Sequence, residues 1–280
     1  MEISVVIPSY NRYEVLQRAL SSVYAQTLKP KEVIVIDDGS TDETSQIKNL
    51  FPQKASRSSF RVRYFYQKNR GVSSARNLGI KESICEWVAF LDSDDTWHED
   101  KLAHHAEFHK NFPDIRMSYT DEKWIRDGDE VKMPKKFRKF GGYIFTECLS
   151  HCIIAPSAAL LHKEIFADVG EFDESLEVCE DYDMWLRVSL ENKIGLIDEK
   201  LITKYGGCDD QLSAKHWGMD RFRVRALEKL LTLELPKEKK EHVLKTLVQK
   251  YALLLKGAIK YDRMTESNEY KIKIQRYKIE

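Results

Sequence analysis

The first hundred residues alternate between short apolar runs and amphipathic stretches. Ile3-Ser4-Val5-Val6-Ile7 is a buried-looking run stopped by Pro8, which cannot donate to a sheet ladder, and it reads as a first strand. Val15, Leu16, Ala19, Leu20 and Val23 then recur at helical spacing and predict a helix over roughly 13–26 with one apolar stripe. Val33-Ile34-Val35-Ile36 is a second buried strand, broken by Asp37-Asp38-Gly39-Ser40; Ser40 or Thr41 can cap the next helix, with Glu43 and Thr44 in its first turn. Residues 51–60 are polar and irregular, as in a surface loop. A third strand is expected over Arg61–Tyr66, a helix opening at Gly71-Val72-Ser73-Ser74 and running to about Ser83, and a fourth strand at 86–91. Strand, helix, strand with short connections is the βαβ unit of a parallel sheet with right-handed crossovers.

Further on, a helix is expected from about Asp100 to Phe112, ended by Pro113. It brings His104, His105 and His109 together with His98, but no carboxylate pattern organises them, so a solvated helical face is the expectation. Met117-Ser118-Tyr119 resembles a strand, Asp127-Gly128-Asp129 a hairpin turn, and Lys132–Lys139 a basic loop. A short helix at 143–150, a strand at 158–161 and a helix at 163–169 ended by Gly170 follow. Met184, Trp185 and Val188 give the apolar face of a helix that starts near Glu180, and Ile194–Ile197 is one more strand. Gly206 to Ser213 reads as a flexible loop. Beyond Trp217 the pattern is helical to the end, broken at Pro236, with a strong stripe through Leu244, Leu247, Val248, Tyr251, Leu254 and Leu255. The expected organisation is an α/β body over 1–216 and a helical extension over 217–280.

Composition narrows this. With 42% hydrophobic and 32% charged residues, the 280-residue chain can bury a real core and is no disordered polymer. Its net charge is zero but uneven: residues 220–280 hold 16 Lys+Arg against 9 Asp+Glu. The lysines of the basic tail are first expected on a solvated helix face; the other expectation is that the tail docks on the body, on a twin copy as a homodimer, or on an anionic membrane surface. No nucleic-acid motif accompanies that charge. Five cysteines, an odd number with no Cys-x-x-Cys pair, point to a reducing cytosol. Cys148, His151 and Cys152 lie close enough to suggest zinc, but a fourth ligand is missing and core packing is the expectation. Met1-Glu2 leads straight into a strand without a signal-peptide pattern, and no run of about 20 apolar residues occurs, so a cytoplasmic protein is expected, at most peripheral at the inner membrane face.

The chemistry gathers where Trp87–Leu91 breaks into Asp92, Asp94 and Asp95. Carboxylates at the C-terminal end of a buried parallel strand lie where open α/β sheets hold ligands. Asp-x-Asp is a set of hard oxygen donors suited to Mg²⁺ or Mn²⁺, ions that usually arrive carrying phosphates. An isolated Asp-x-Asp is more often a solvated strand end, and Glu180-Asp181, taken alone, is more often a helix cap.

Together with their surroundings these stretches have a familiar order. Val5-Val6-Ile7-Pro8-Ser9-Tyr10-Asn11, Val35-Ile36-Asp37-Asp38-Gly39-Ser40-Thr41-Asp42, Gly71-Val72-Ser73-Ser74-Ala75-Arg76-Asn77, Phe90-Leu91-Asp92-Ser93-Asp94-Asp95, and Val169-Gly170-Glu171-Phe172-Asp173 followed by Glu180-Asp181-Tyr182-Asp183 resemble a family 2 glycosyltransferase of the GT-A fold. The chain after about residue 220 lies outside the resemblance. The resemblance implies a Rossmann-like mixed sheet flanked by helices, and an inverting transfer from a nucleotide-diphospho-sugar, UDP-linked by family habit, to a carbohydrate or lipid-linked acceptor in cell-surface glycan or glycolipid assembly. Pro8, Tyr10 and Asn11 would border the base, with Asp37 and Asp38 near base or ribose and Arg76 touching base or phosphate. Asp94 would ligate the Mg²⁺ or Mn²⁺, with Asp92 on the ribose or the metal's water shell and Ser93 beside them. Asp181 would be the general base and Glu180 would orient the acceptor or share that role.

One departure stands out. Relatives often carry a histidine in the loop near 205–213, where this chain has Cys208; His216 could take its place at the metal. The Gln-x-x-Arg-Trp motif of processive synthases is missing, so one sugar per event is expected. Two rivals remain: a haloacid-dehalogenase-type phosphatase with Asp92 as nucleophile in Asp92-Ser93-Asp94-Asp95-Thr96, and a non-catalytic nucleotide-sugar binder. The lack of Gly-x-Gly-x-x-Gly after the first strand argues against a dinucleotide dehydrogenase.

Overall fold

A computed structural model describes residues 1–50, 60–207 and 216–279. Four parallel strands form its first half: β1 (Ile3–Ser9), β2 (Glu32–Asp37), β3 (Arg61–Tyr66) and β4 (Trp87–Phe90), in spatial order β3-β2-β1-β4. Between them run α1 (Tyr13–Tyr24), a 3₁₀ turn at Glu43–Gln46 leading into the short α2 (Ile47–Leu50), and α3 (Val72–Glu82). Both faces of β1, β2 and β4 are covered, which is why their sequences are largely apolar, whereas the edge strand β3 is only partly buried. In β2, Val33 and Val35 join the cluster that includes Leu16 and Leu20 of α1, whereas Ile34 and Ile36 pack with Ala75 of α3 on the other face.

The second half turns the sheet mixed. After the two-residue β5 (Thr96–Trp97) and α4 (Lys101–Asn111) come β6 (Met117–Arg126) and β7 (Asp129–Val131), joined by a hairpin turn in which Asp127 and Gly128 have φ of 53° and 91°. The short α5 (Phe145–Cys148), β8 (Ala159–His162), α6 (Glu164–Val169), α7 (Glu180–Glu191) and β9 (Gly195–Gly206) follow. β8 pairs antiparallel with both β4 and β6, extending the order to β3-β2-β1-β4-β8-β6-β9-β5 among the described residues. The chain leaves β1 toward β2 and β3 and returns to β4 on its other side. The C-terminal ends of β1 and β4 therefore flank a switch point, the crevice where α/β sheets take ligands.

Residues after 217 form α8 (Asp220–Leu230), α9 (Lys237–Lys260) and α10 (Met264–Ile279). Pro236 separates the first two as expected, but a second break, unforeseen in the sequence, falls at 261–263, where Asp262 has φ 52°. Phe222, Leu227, Leu230, Leu247 and Tyr251 of these helices lie in the same apolar cluster as Val5 and Leu91. No helix among the described residues is long and apolar enough to cross a membrane.

Two further expectations need correction. β6 and β9 run to 10 and 12 residues, far longer than the apolar cores that announced them, because their outer halves pair with each other on polar sequence. The histidines of α4 are not a solvated face: His105 and His109 are buried and both meet Ser118 Oγ of β6, at 2.7 and 2.8 Å. Burial, only partly offset by the backbone carbonyl of Ile115, holds His109 down at about 4, so it is neutral at neutral pH. His104 points toward Glu199 at 3.0 Å, and His98, ahead of the helix, is exposed as expected. Residues 51–59, expected as a surface loop, lie outside the described residues.

Gly79 sets how closely α3 approaches the sheet. A Cβ there would come within 2.2 Å of Val6 Cγ1, and valine is stiff at χ1. Gly79→Ala should therefore destabilise the fold by about 1–3 kcal/mol despite the better helix propensity of alanine, measurable as a lowered midpoint in urea.

Candidate active site

The acidic turn after β4 is held on a rigid frame. Ser157, in a 3₁₀ turn at Pro156–Ala158, receives the amide of Asp92 at 3.0 Å and donates its hydroxyl to Asp95 Oδ2 at 2.6 Å. Asp95 N–H closes the turn on the carbonyl of Asp92 at 3.0 Å. From the opposite side Arg12 Nη1 reaches Asp94 Oδ2 at 2.9 Å, and Arg18 Nη2 donates to the Asp94 carbonyl at 2.8 Å. Burial pushes the Asp95 carboxyl well above the ordinary range, against the pull of Lys204.

Arg76, on α3 and 3% exposed, ties this turn to α7. Its Nη2 meets Asp92 Oδ1 at 2.7 Å and its Nη1 meets Glu180 Oε1 at 2.5 Å. Burial, which alone would weaken its charge, is outweighed by those two carboxylates, so Arg76 stays cationic. Helix α7 begins at the acid pair, directly after Cys179 in left-handed backbone at φ 64°. Glu180 is buried, and burial lifts its carboxyl to about 7 although Arg76 pulls the other way. Asp181 is half-buried; its Oδ1 accepts from Tyr182 N–H at 2.7 Å and its Oδ2 from the Cys152 thiol at 3.3 Å. That thiol is held protonated by burial and by the charge of Asp181.

A cavity of about 550 Å³ joins these groups. Pro8, Tyr10, Asn11, Asp38, Arg76, Asp92, Ser93, Asp94, Glu180 and Asp181, all singled out in the sequence, line it. Asn11 does so with φ 51°, its carboxamide oxygen accepting from Thr41 N–H at 2.7 Å. Asp38 is fixed at the rim by the amides of Arg70 and Gly71 at 2.9 and 2.8 Å.

Two expected site residues lie elsewhere. Asp37 turns away from the cavity, its carboxylate taken by the Tyr64 hydroxyl and by Ser40 N–H at 2.8 Å. His216 packs edge-on against Phe222 with ring centroids 5.4 Å apart and is not among the lining residues. Cys208 lies outside the described residues.

Sequence reasoning passed over Arg12 and Lys204, which line the same cavity. Lys204 belongs to the outer half of β9, whose polar sequence gave no signal. Burial, which would lower its ammonium, is outweighed by Glu122, Asp95, Asp92 and Asp181, and it is held charged.

The donor set bears on a metal. Among the described residues no three His, Cys, Asp or Glu side chains converge as a closed metal site. Asp92 and Asp94 are two hard carboxylates on one wall, which suits Mg²⁺ or Mn²⁺ shared with substrate phosphates and does not suit an all-protein cage. Cys148, expected in the core, is buried there.

The raised Glu180 carboxyl has a pH consequence. The folded protein keeps a proton that the unfolded chain releases near pH 4.5, so this stability is full below that pH and is lost as pH rises through about 7. Glu180→Gln should flatten that leg of the melting temperature against pH between 5 and 7, read by calorimetry.

The family model described as glycosyl transferase family 2 matches residues 4–170. An uncharacterized glycosyltransferase of Rickettsia felis is 34% identical over 200 residues, which are 71% of this chain and 32% of that protein. The chain spans only 28% to 62% of the length of the Rickettsia relatives it matches. Among solved structures, S. aureus TarS 1–349 in complex with UDP-GlcNAc superposes with a TM-score of 0.75 at 21% identity, over 96% of this chain and 79% of that one. Mannosyltransferase PcManGT from Pyrobaculum calidifontis, in complex with GDP-Man and Mn²⁺, gives 0.64 at 17% identity, over 98% and 86%. At such identities the likeness speaks for the fold, and the match over residues 4–170 speaks for descent: the chain belongs to glycosyl transferase family 2 and has its GT-A-type fold.

Proposed function

We propose that the chain transfers one sugar per event from a nucleotide-diphospho-sugar to an acceptor hydroxyl, inverting the anomeric centre, with Asp181 as the general base and a divalent cation at Asp94. The observation that carries this reading is the single cavity shared by the Asp92–Asp95 turn and the start of α7. A direct displacement needs the leaving diphosphate and the attacking hydroxyl on opposite sides of one carbon, and therefore two chemically different walls facing one space.

Each wall suits its part. A bound Mg²⁺ or Mn²⁺ would neutralise charge growing on the departing diphosphate. Arg12, Arg76 and Lys204 add fixed positive charge around it. Of the acid pair, Glu180 is buried and tied to Arg76, which suits a residue that holds the wall in shape. Asp181 is the more accessible, with one oxygen anchored by the backbone of Tyr182, and suits proton abstraction from an incoming alcohol. The nucleotides in the TarS and PcManGT complexes, UDP-GlcNAc and GDP-Man, define the first donors to try, and Mn²⁺ the first ion.

The phosphatase alternative draws no support from this arrangement, since Asp92 is bound by Arg76 and the chain belongs to another family. A thermal-shift panel of UDP- and GDP-sugars with and without Mn²⁺ tests the reading: one nucleotide should raise the melting temperature in a metal-dependent way. Asp181→Asn should keep that shift while transfer or slow donor hydrolysis falls about 10²–10⁴-fold. Turnover unchanged in this variant would remove Asp181 as the base, and no shift with any nucleotide would remove the donor assignment.

A further inference from the structure

Asp94 faces a resident cation. Arg12, the residue immediately before α1, places Nη1 2.9 Å from Asp94 Oδ2, with both side chains 17% exposed and both on the cavity wall. The contact does not depend on two loose side chains meeting. Arg18, six residues on in α1, clamps the Asp94 backbone carbonyl at 2.8 Å and stacks on Tyr205 at 3.7 Å, while Ser157 holds the turn from the other side. The neighbouring Asp92 has its own partner in Arg76 at 2.7 Å.

Arg12 occupies Asp94 Oδ2, and its charge repels a divalent cation approaching either oxygen of that carboxylate. An ion arriving alone gains few protein ligands and sits beside that guanidinium. An ion arriving on a nucleoside diphosphate brings phosphate oxygens, the acceptors that a guanidinium fork binds best. We propose that Arg12 is a selectivity residue: it bars Asp94 to free divalent cations and passes to the diphosphate when cation and nucleotide enter together. Metal and nucleotide affinities are then coupled through one side chain, and by linkage each raises the other equally. This rests on the donor reading above, but its first test uses no nucleotide.

Free Mn²⁺ is titrated by electron paramagnetic resonance against wild type, Arg12→Ala and Arg12→Lys, each with and without UDP. The expected result is weak binding of Mn²⁺ alone to wild type and to Arg12→Lys, and binding about tenfold tighter or more to Arg12→Ala, the scale on which one neighbouring charge acts on a carboxylate. The gain in Mn²⁺ affinity on adding UDP should be largest in wild type and shrink in Arg12→Ala. Asp94→Asn in the Arg12→Ala background should abolish the gain made by the first substitution. Binding of Mn²⁺ alone that is no tighter in Arg12→Ala than in wild type overturns the proposal, as does an undiminished UDP effect. If Arg12→Ala does not fold, Arg12→Gln decides by the same comparison. Should sugar nucleotides fail to bind at all, the donor reading falls, while the Mn²⁺ comparison still decides whether Arg12 guards Asp94.

Discussion

Arg76 is the constraint around which the site is built. Its planar fork joins Asp92, 16 residues away, to Glu180, 104 residues away, with the guanidinium almost completely buried. Charges taken this far out of water persist only when paired, and losing one partner of such a set typically costs about 3–5 kcal/mol. The position of α7 relative to the turn after β4 is thus fixed by chemistry that tolerates no slack. Lysine would not do the same, because a point charge on a flexible stem cannot hold two carboxylates in one plane.

From that bridge the electrostatics of the cavity follow. Six carboxyl groups, on Asp38, Asp92, Asp94, Asp95, Glu180 and Asp181, line one cavity, and as carboxylates left alone they would repel one another. Arg12, Arg76 and Lys204 sit among them, so the acids come with counter-charges already in place. Such a wall mixes both signs of charge, as the proposed ligand, phosphates together with a cation, would require.

Much of this was legible in the sequence, for identifiable reasons. The central parallel strands β1, β2 and β4 are covered on both faces and so appear as apolar runs, each ending in polar residues at the crevice. Motif residues at those ends, Pro8 to Asn11 and Asp92 to Asp94, line the cavity because a strand end can point in only one direction. The losses occurred where a side chain's fate is decided by something far along the chain. Asp37 and Asp38 are adjacent and chemically identical, but Tyr64 of the next strand takes the first and leaves the second at the rim. His105 and His109 look like a solvated face until Ser118 is brought under them. Lys204 sits in a polar half-strand that pairs with another polar half-strand, a pattern with no periodic signature.

The C-terminal helices matter to the chemistry although the family model stops at residue 170. Lys229 of α8 binds Asp183 of α7 at 3.1 Å and Asp173 at 2.6 Å, and Lys239 of α9 donates to the carbonyl of Leu190 at the other end of α7. Lys250 of α9 reaches the carbonyl of Ser150 at 2.7 Å, two residues before the thiol that touches Asp181. The helix that begins with Glu180 and Asp181 is thereby held at both ends by the C-terminal segment, and both lie beyond the family match. A chimera that takes only residues 4–170 of this chain would carry the Asp92–Asp95 turn and leave behind Glu180, Asp181 and the helices that hold them in place.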